Sequence, residues 1–196
     1  MQVYYGFDQV VKMARPVAAV GSFDGVHLGH CRILQYLVSC AKARNTQSVV
    51  VTFDPHPRKV LFPESDFCTI NTLDKNLQLI EAQNVDVSVV VPFTKQFSQL
   101  SYTEFMEQCL IEKMNVGAVV MGPNHAIGHN REGNSNQLKQ LCDKHQVQVV
   151  EIPELMLHEA GVHSAQIREA IQKGNWQLAD EMLGYHYQPS NSSTNR

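Results

Sequence analysis

The segment PVAAVGSFDGVHLGH, residues 16–30, joins two different patterns. Its first part, residues 16–21, is almost continuously apolar, as in a strand buried on both faces of a parallel sheet. The residues that follow it, 28–43, carry apolar side chains at helical spacing. The segment therefore predicts a strand that passes through a glycine-containing turn directly into a helix starting near Leu28 or Gly29.

The rest of the chain repeats this alternation of Val-rich runs and helical segments. After the fifth strand, residues 162–184 read as two helices broken at Lys173-Gly174-Asn175. The alternation predicts an α/β fold with a Rossmann-like, doubly wound, five-stranded parallel sheet. The further strand-like runs are 48–53, 87–93, 118–122 and 147–153, and the helical segments between them are 72–84, 101–115 and 133–146.

Composition limits the class of protein. The 196 residues are 43% hydrophobic, which suits one domain of ordinary size, and the formal net charge of −3 gives no general basic field for nucleic acid. Five cysteines without a CxxC pair favour reduced thiols and a cytoplasmic protein. No run approaches the roughly 18 apolar residues of a membrane span. We therefore expect neither nucleic acid nor a membrane as a partner, and the oligomeric state stays open.

The histidines of HLGH, His27 and His30, lie where the first strand becomes a helix. In a doubly wound sheet, ligands bind at the carboxyl ends of the strands, and a helix start directs free N–H groups and partial positive charge there. Phosphate is the typical ligand of such a place, and two imidazoles can donate to its oxygens. The alternative is a surface turn whose histidines only cap the helix.

Four motifs resemble one family. HLGH has the HxGH pattern of the nucleotidyltransferase superfamily. The longer string AVGSFDGVHLGH, residues 19–30, resembles the first motif of the FMN adenylyltransferase (FAD synthetase) module of bacterial bifunctional riboflavin kinase/FAD synthetases. VVVTFDPHPRKVLFP (49–63), MGPNHAIGHNREGN (121–134) and HSAQIREAIQKGNWQLADEMLGYHY (163–187) resemble the motifs that follow.

The resemblance implies a set of site residues. His27, His30 and Arg168 are the implied catalytic residues, and Arg168 shares a helix face with Ser164, four residues earlier. A guanidinium there suits the phosphates of ATP. The implied ATP-binding residues are Gly21, Ser22, Phe23, His27, Gly29, His30, Ser164 and Arg168, and the implied flavin-binding residues are Phe53, His56, Pro57, Asn124 and Arg131.

Two of the motifs depart from the family pattern. His125 and Ile127 stand where the family usually has aromatic residues, and His163 and Ala165 replace hydroxyl-bearing residues. The remaining histidines show no metal-ligand spacing, so no protein-held metal is expected. Asp24, beside the phosphate loop, is expected to orient a backbone turn rather than to help hold Mg²⁺.

The resemblance implies transfer of the adenylyl group of ATP to FMN, giving FAD and pyrophosphate, with Mg²⁺ accompanying ATP. Two alternatives remain: an HxGH nucleotidyltransferase with another phosphorylated acceptor, and a catalytically inactive nucleotide- or flavin-binding module. We expect one nucleotidyltransferase domain over residues 1–187, a disordered tail over 188–196 and no riboflavin kinase domain.

Overall fold

The computed structural model of the chain describes residues 1–121, 128–129, 135–152, 156–157 and 160–189. A parallel sheet with helices on both faces organises them, which confirms the expected α/β fold. In sheet order, its six strands are β1 (Gln2–Tyr5), β4 (Val87–Pro92), β3 (Ser48–Asp54), β2 (Val17–Val20), β5 (Ala118–Met121) and β6 (Gln148–Glu151).

The helices occupy the segments with helical periodicity, and one short helix was not expected. A π-helical segment, Phe105–Lys113, continues directly from α4, and an antiparallel pair, β7 (Met156–Leu157) and β8 (Ala160–Gly161), lies outside the main sheet. The helices are α1 (Leu28–Ala43), α2 (Pro57–Leu61), α3 (Leu73–Glu81), α4 (Tyr102–Glu104), α5 (Ser135–Lys144), α6 (Ser164–Gln172) and α7 (Trp176–Leu183).

The expected strand number of five was one too low. Strand β1 pairs in parallel with β4 at the edge of the sheet. Its sequence, QVYY, is only partly buried and contains a polar residue, so it does not read as a buried apolar run. Edge strands with one partner lack the continuous hydrophobic pattern that marks central strands. The short helix α2 was missed because five residues are too few to show helical periodicity.

Alternate residues of β2 face two separate cores. Ala18 and Val20 pack with residues of the π-helical segment and α5, whereas Val17 and Ala19 pack with α1 and α3. All four β2 residues are at least nine-tenths buried. This double burial is the reason that the strand reads as continuously apolar rather than alternating.

Buried residues of helices α6 and α7 form a third hydrophobic cluster. Ile167 and Leu183 are almost fully buried in it and pack with Ile70, which lies before α3. None of the helices within the described ranges is long and apolar enough to span a membrane. Of the expected tail, residues 190–196 lie outside the described residues, so its disorder stays a prediction.

The chain reverses its winding direction at β2. That strand lies between β3 and β5, so the connections on its two sides run to opposite ends of the sheet. A crevice at the carboxyl end of the strands forms at such a point. The loop 21–26 leaves β2 at this edge and leads into α1.

Candidate active site

The two histidines of HLGH stack at the first turn of α1. Their ring centroids are 3.7 Å apart with planes inclined by 20°. His27 is the N-cap, and its Nδ1 accepts a hydrogen bond from the backbone N–H of His30 at 3.4 Å. Since Nδ1 accepts, the proton of a neutral His27 ring is on Nε2. His27 therefore caps the helix, and its expected donation to phosphate stays a prediction.

Burial keeps both rings neutral. Burial, with a smaller contribution from the nearby Arg168 charge, lowers the pKa of His27 to about 4. Burial, together with the neighbouring His27, also holds the pKa of His30 well below its usual value. The Nδ1 atom of His30 is buried without a hydrogen-bond partner among the described residues. The pair therefore offers neutral hydrogen-bond donors rather than two positive charges.

Gly29 lets the starts of two helices approach each other. A Cβ atom at this position would lie 3.1 Å from Cε1 of His27 and 3.4 Å from the carbonyl oxygen of Val162. Val162 comes two residues before α6, so the first turns of α1 and α6 are neighbours. Two helix starts with free N–H groups at one place strengthen an anion site.

Asp24 ties the loop after β2 to α6. Its carboxylate is 1% exposed and accepts a hydrogen bond from Nη1 of Arg168 at 2.7 Å. The backbone N–H of Ile70 also donates to it at 2.9 Å, and Ser164 Oγ lies 3.3 Å from its carbonyl oxygen. Burial raises the pKa of Asp24, and these N–H groups and the Arg168 charge oppose the rise. Asp24 thus orients the turn, as the sequence indicated, and also fixes Arg168.

Phe67 packs against three of the polar side chains. The guanidinium carbon of Arg168 lies 4.6 Å from its ring centroid and that of Arg58 5.2 Å. The ring of His56 lies 4.6 Å away, centroid to centroid. Sequence pattern alone does not mark Phe67, because a single aromatic residue in a polar segment has no periodicity.

An apolar cavity of about 760 Å³ opens beside the loop after β2. Phe53, at the end of β3, packs edge-on against Phe93, 5.5 Å away, and Phe97 lies 6.1 Å away. Aromatic and aliphatic walls with a few polar groups are typical of sites for planar organic ligands. Its lining includes the expected residues Gly21, Ser22, Phe53, His56 and Pro57, and also Phe93, Phe97, Leu100 and His129.

His56 lies on the wall of this cavity at the start of α2. Its Nδ1 accepts from the backbone N–H of Arg58 at 3.1 Å, which makes it the N-cap. Burial lowers the pKa of His56 to about 4, and the charges of Arg168, Lys59 and Arg58 act in the same direction. Like His27, it is a neutral ring with its proton on Nε2.

Residues 11–166 match the family model described as FAD synthetase. The chain belongs to the FAD synthetase family. The resemblance read from the motifs is therefore confirmed.

Two relatives share this family. An FAD synthetase from Listeria monocytogenes is 28% identical over 86% of this chain and 68% of its own length. A bifunctional riboflavin kinase/FMN adenylyltransferase from Buchnera aphidicola subsp. Schizaphis graminum is 28% identical over 94% of this chain. The chain spans 60% of the length of that bifunctional relative.

A solved structure supports the fold. A protein described as a macrolide-efflux protein from Streptococcus pneumoniae aligns with a TM-score of 0.84 and 24% identity. The alignment covers 94% of this chain and 60% of that one. At this identity the likeness establishes the shared fold alone.

Some expected site residues of this FAD synthetase family member are placed differently or lie outside the described residues. Phe23, expected to bind ATP, is only 2% exposed, and its ring centroid lies 5.2 Å from that of His30. Its side chain therefore packs against His30 within the protein. Asn124 and Arg131 fall outside the described residues, as do His125 and Ile127. Their expected roles on the flavin side stay predictions.

The described residues of this FAD synthetase family member form no group of three or more His, Cys, Asp or Glu side chains that could hold a metal ion. Asp24 is the carboxylate nearest to the histidine pair in sequence, and both of its oxygens already accept hydrogen bonds.

Proposed function

We propose that this chain transfers the adenylyl group of ATP to FMN, giving FAD and pyrophosphate. Membership of the FAD synthetase family and the names of its relatives support this function. One structural observation carries it: the loop after β2 serves two kinds of site at once. Gly21 and Ser22 line the aromatic cavity, and His27, five residues after Ser22, stacks on His30 where the loop enters α1.

The aromatic cavity suits the flavin acceptor, and the start of α1 suits the nucleotide donor. The aromatic cavity suits the apolar tricyclic ring of a flavin, whose π-face packs well against Phe53, Phe93 and Phe97. The neighbouring helix starts suit the phosphates of ATP. An acceptor phosphate attached to that ring is thereby brought next to the nucleotide phosphates, which lowers the entropic part of the barrier.

The reaction is an in-line displacement at phosphorus. An oxygen of the FMN phosphate attacks the α-phosphorus of ATP, the bond to the bridging oxygen of the β-phosphate breaks, and pyrophosphate leaves with that electron pair. Catalysis then consists of positioning and charge stabilisation. His27 donates through Nε2–H, and its neutral state avoids the desolvation of a buried charge before ATP binds.

Arg168 and Ser164 complete the phosphate side. Asp24 uses Nη1 of Arg168, and the remaining guanidinium N–H groups are free to bind phosphate oxygens. Mg²⁺, when bound, would neutralise charge on the phosphates of ATP. Since Asp24 is occupied by Arg168 and backbone N–H groups, the metal would be brought by ATP itself.

A direct assay tests the function. Purified protein is mixed with ATP, Mg²⁺ and FMN, and FAD and pyrophosphate are measured by chromatography. We expect both products in equal amounts. Pyrophosphate formed only with another phosphorylated acceptor would favour the first alternative, and binding of ATP and flavin without turnover would favour an inactive module.

His30→Ala tests the catalytic role of the second histidine of the pair. Loss of one preorganised donor lowers kcat by about 10²-fold or more. The thermal midpoint should fall only modestly, since the lost ring packs on His27 and Phe23 and its Nδ1 has no hydrogen-bond partner among the described residues. Near-normal turnover by a folded His30→Ala protein would contradict the catalytic role of this residue.

A further inference from the structure

A second, polar cavity of about 250 Å³ adjoins the aromatic one at the end of β3. The two cavities share three lining residues: Ser22, Phe53 and His56. Its wall also carries Asp24, so this cavity reaches the side chain that holds Arg168. The lining is rich in hydroxyl groups and also carries opposite charges: Ser22, Thr52, Thr69, Thr72, Asp54 and Lys59.

Several of these groups remain available to a ligand. The Ser22 hydroxyl makes no hydrogen bond within the described part of the chain and lies on the wall of both cavities. Thr52 Oγ1 donates to the Ser22 carbonyl oxygen at 3.1 Å and can still accept. The exposed Asp54 carboxylate forms no ion pair with any described residue. Hydroxyls and a carboxylate of this kind recognise polyhydroxylated chains.

Lys59 is the one Lys or Arg among the described residues that line the polar cavity. It extends from α2 and forms no ion pair with the described residues, whereas Arg168 is bound to Asp24 and Arg58 lies over Phe67. Its charge contributes to the low pKa of His56, which places it within electrostatic reach of the boundary between the cavities. His27 and His56 are neutral at pH 7, because their pKa values are about 4. Lys59 is thus the charge on this wall that can pair with an acceptor phosphate.

We propose that the polar cavity receives the polyhydroxylated ribityl chain of the flavin and that Lys59 binds the phosphate at its end. This inference rests on the proposed function, since it divides the same acceptor between two cavities. The apolar ring occupies the aromatic cavity, and the chain passes Ser22 into the polar one. Lys59 is then a specificity-determining residue, because it distinguishes a phosphorylated flavin from an unphosphorylated one.

A series of three flavins separates the parts of this proposal. Lumiflavin has the ring alone, riboflavin adds the polyol, and FMN adds the phosphate. Their dissociation constants are measured by flavin fluorescence for the parent protein, Lys59→Gln and Ser22→Ala. Lys42→Gln, in the last turn of α1, is the control, because it removes the same charge far from the cleft.

Lys59→Gln should weaken FMN binding by about tenfold, the scale of one charge-assisted hydrogen bond, and leave riboflavin and lumiflavin unchanged. Ser22→Ala should weaken riboflavin and FMN by a similar factor and spare lumiflavin. Lys42→Gln should alter none of them. Unchanged thermal midpoints would show that the variants are folded.

Other outcomes overturn the inference. If Lys59→Gln leaves FMN binding unchanged, or weakens riboflavin equally, Lys59 does not bind the phosphate. If Ser22→Ala weakens lumiflavin as much as riboflavin, the chain does not lie in the polar cavity. In both cases FAD formation by the parent protein would leave the proposed function intact. A parent protein that binds none of the three flavins would instead refute the proposed function itself.

Discussion

Single side chains at the start of α1 illustrate how burial selects a protonation state. The pKa of His27 is about 4 in the folded chain and about 6.5 when exposed. Between these values the unfolded chain binds more protons than the folded one. The free energy of unfolding therefore falls as the pH decreases from 6.5 towards 4, and His27 contributes at most about 3 kcal/mol to that fall.

His27→Asn tests this pH dependence. Asparagine is a good N-cap and keeps an acceptor for the His30 N–H, yet it does not titrate. Urea unfolding of parent and variant between pH 7 and pH 5 should show a shallower loss of stability for the variant. His56 has the same sign of shift and remains in both proteins, so it does not affect the difference. Equal pH slopes would contradict a low pKa for His27.

Gly29→Ala tests the close approach of the two helix starts. The new Cβ would lie 3.1 Å from the His27 ring, so the ring must move by a few tenths of an ångström. We expect kcat/KM for ATP to fall by about tenfold, because catalytic geometry tolerates little displacement. The thermal midpoint should hardly change, since alanine favours the helix.

The control for this substitution is Gly174→Ala. Gly174 has a φ of +70° and open space around it, so alanine there is strained without touching the site. We expect lower stability with unchanged kcat/KM, the reverse of the Gly29→Ala result. A Gly29→Ala protein with full activity would show that the His27 ring can relax at no catalytic loss.

The loop after β2 and helix α6 act as one unit through the Asp24–Arg168 ion pair. Asp24→Asn removes the charge and leaves Arg168, whose side chain is 17% exposed, without its counter-ion. Breaking such a buried pair destabilises a protein by about 3 kcal/mol. We also expect the KM for ATP to rise at least about tenfold, because the guanidinium is no longer held beside the phosphate site. Steady-state kinetics and urea unfolding measure the two effects.

Glu169→Gln is the matched control on the same helix. Glu169 pairs with Lys173 one turn later, and both side chains are mostly exposed. Its removal should alter neither the KM for ATP nor the stability measurably. If Asp24→Asn lowers stability but leaves the KM for ATP unchanged, Asp24 is a structural residue and does not position Arg168.

Tyr185, which follows α7, reaches back to the loop after β2. The Tyr185 hydroxyl donates to the Gly25 carbonyl oxygen at 2.5 Å and accepts from Asn71 Nδ2 at 2.7 Å. Burial raises the pKa of Tyr185 to about 12. Gly184 also packs closely against the start of α1, since a Cβ atom on it would lie 2.6 Å from Leu28 Cδ2. The site therefore depends on packing between the first and last parts of the described fold.

Tyr185→Phe should lower the free energy of unfolding by about 1–3 kcal/mol, because the Gly25 carbonyl oxygen loses its donor and Asn71 Nδ2 loses one of its two acceptors. We expect a fall in the thermal midpoint of a few degrees and a several-fold higher KM for ATP. Tyr36→Phe, which changes an exposed tyrosine on α1, should alter neither quantity. An unchanged KM with reduced stability would indicate that Tyr185 supports the fold but not the site.

Sequence patterns predicted secondary structure best where burial constrains several consecutive residues in the same way. The central strands were predicted because burial on both faces makes them continuously apolar. The edge strand β1 and the short helix α2 were missed. A half-exposed strand and a five-residue helix leave too few constrained positions for a pattern to appear.

The sequence identified the chemistry, because the residue types of HLGH, FDPHP and HSAQIR already specify imidazoles, turns and a guanidinium at element ends. Which side chains meet was decided by the packed sheet. Only there does Asp24 reach Arg168, do the guanidinium groups of Arg58 and Arg168 approach the Phe67 ring, and do Phe93 and Phe97 join Phe53 around one cavity. The neutral state of His27 also belongs to the tertiary structure, since desolvation by surrounding elements sets its pKa. Contacts between residues far apart in the chain, and the loss of water around them, have no signature in a local pattern.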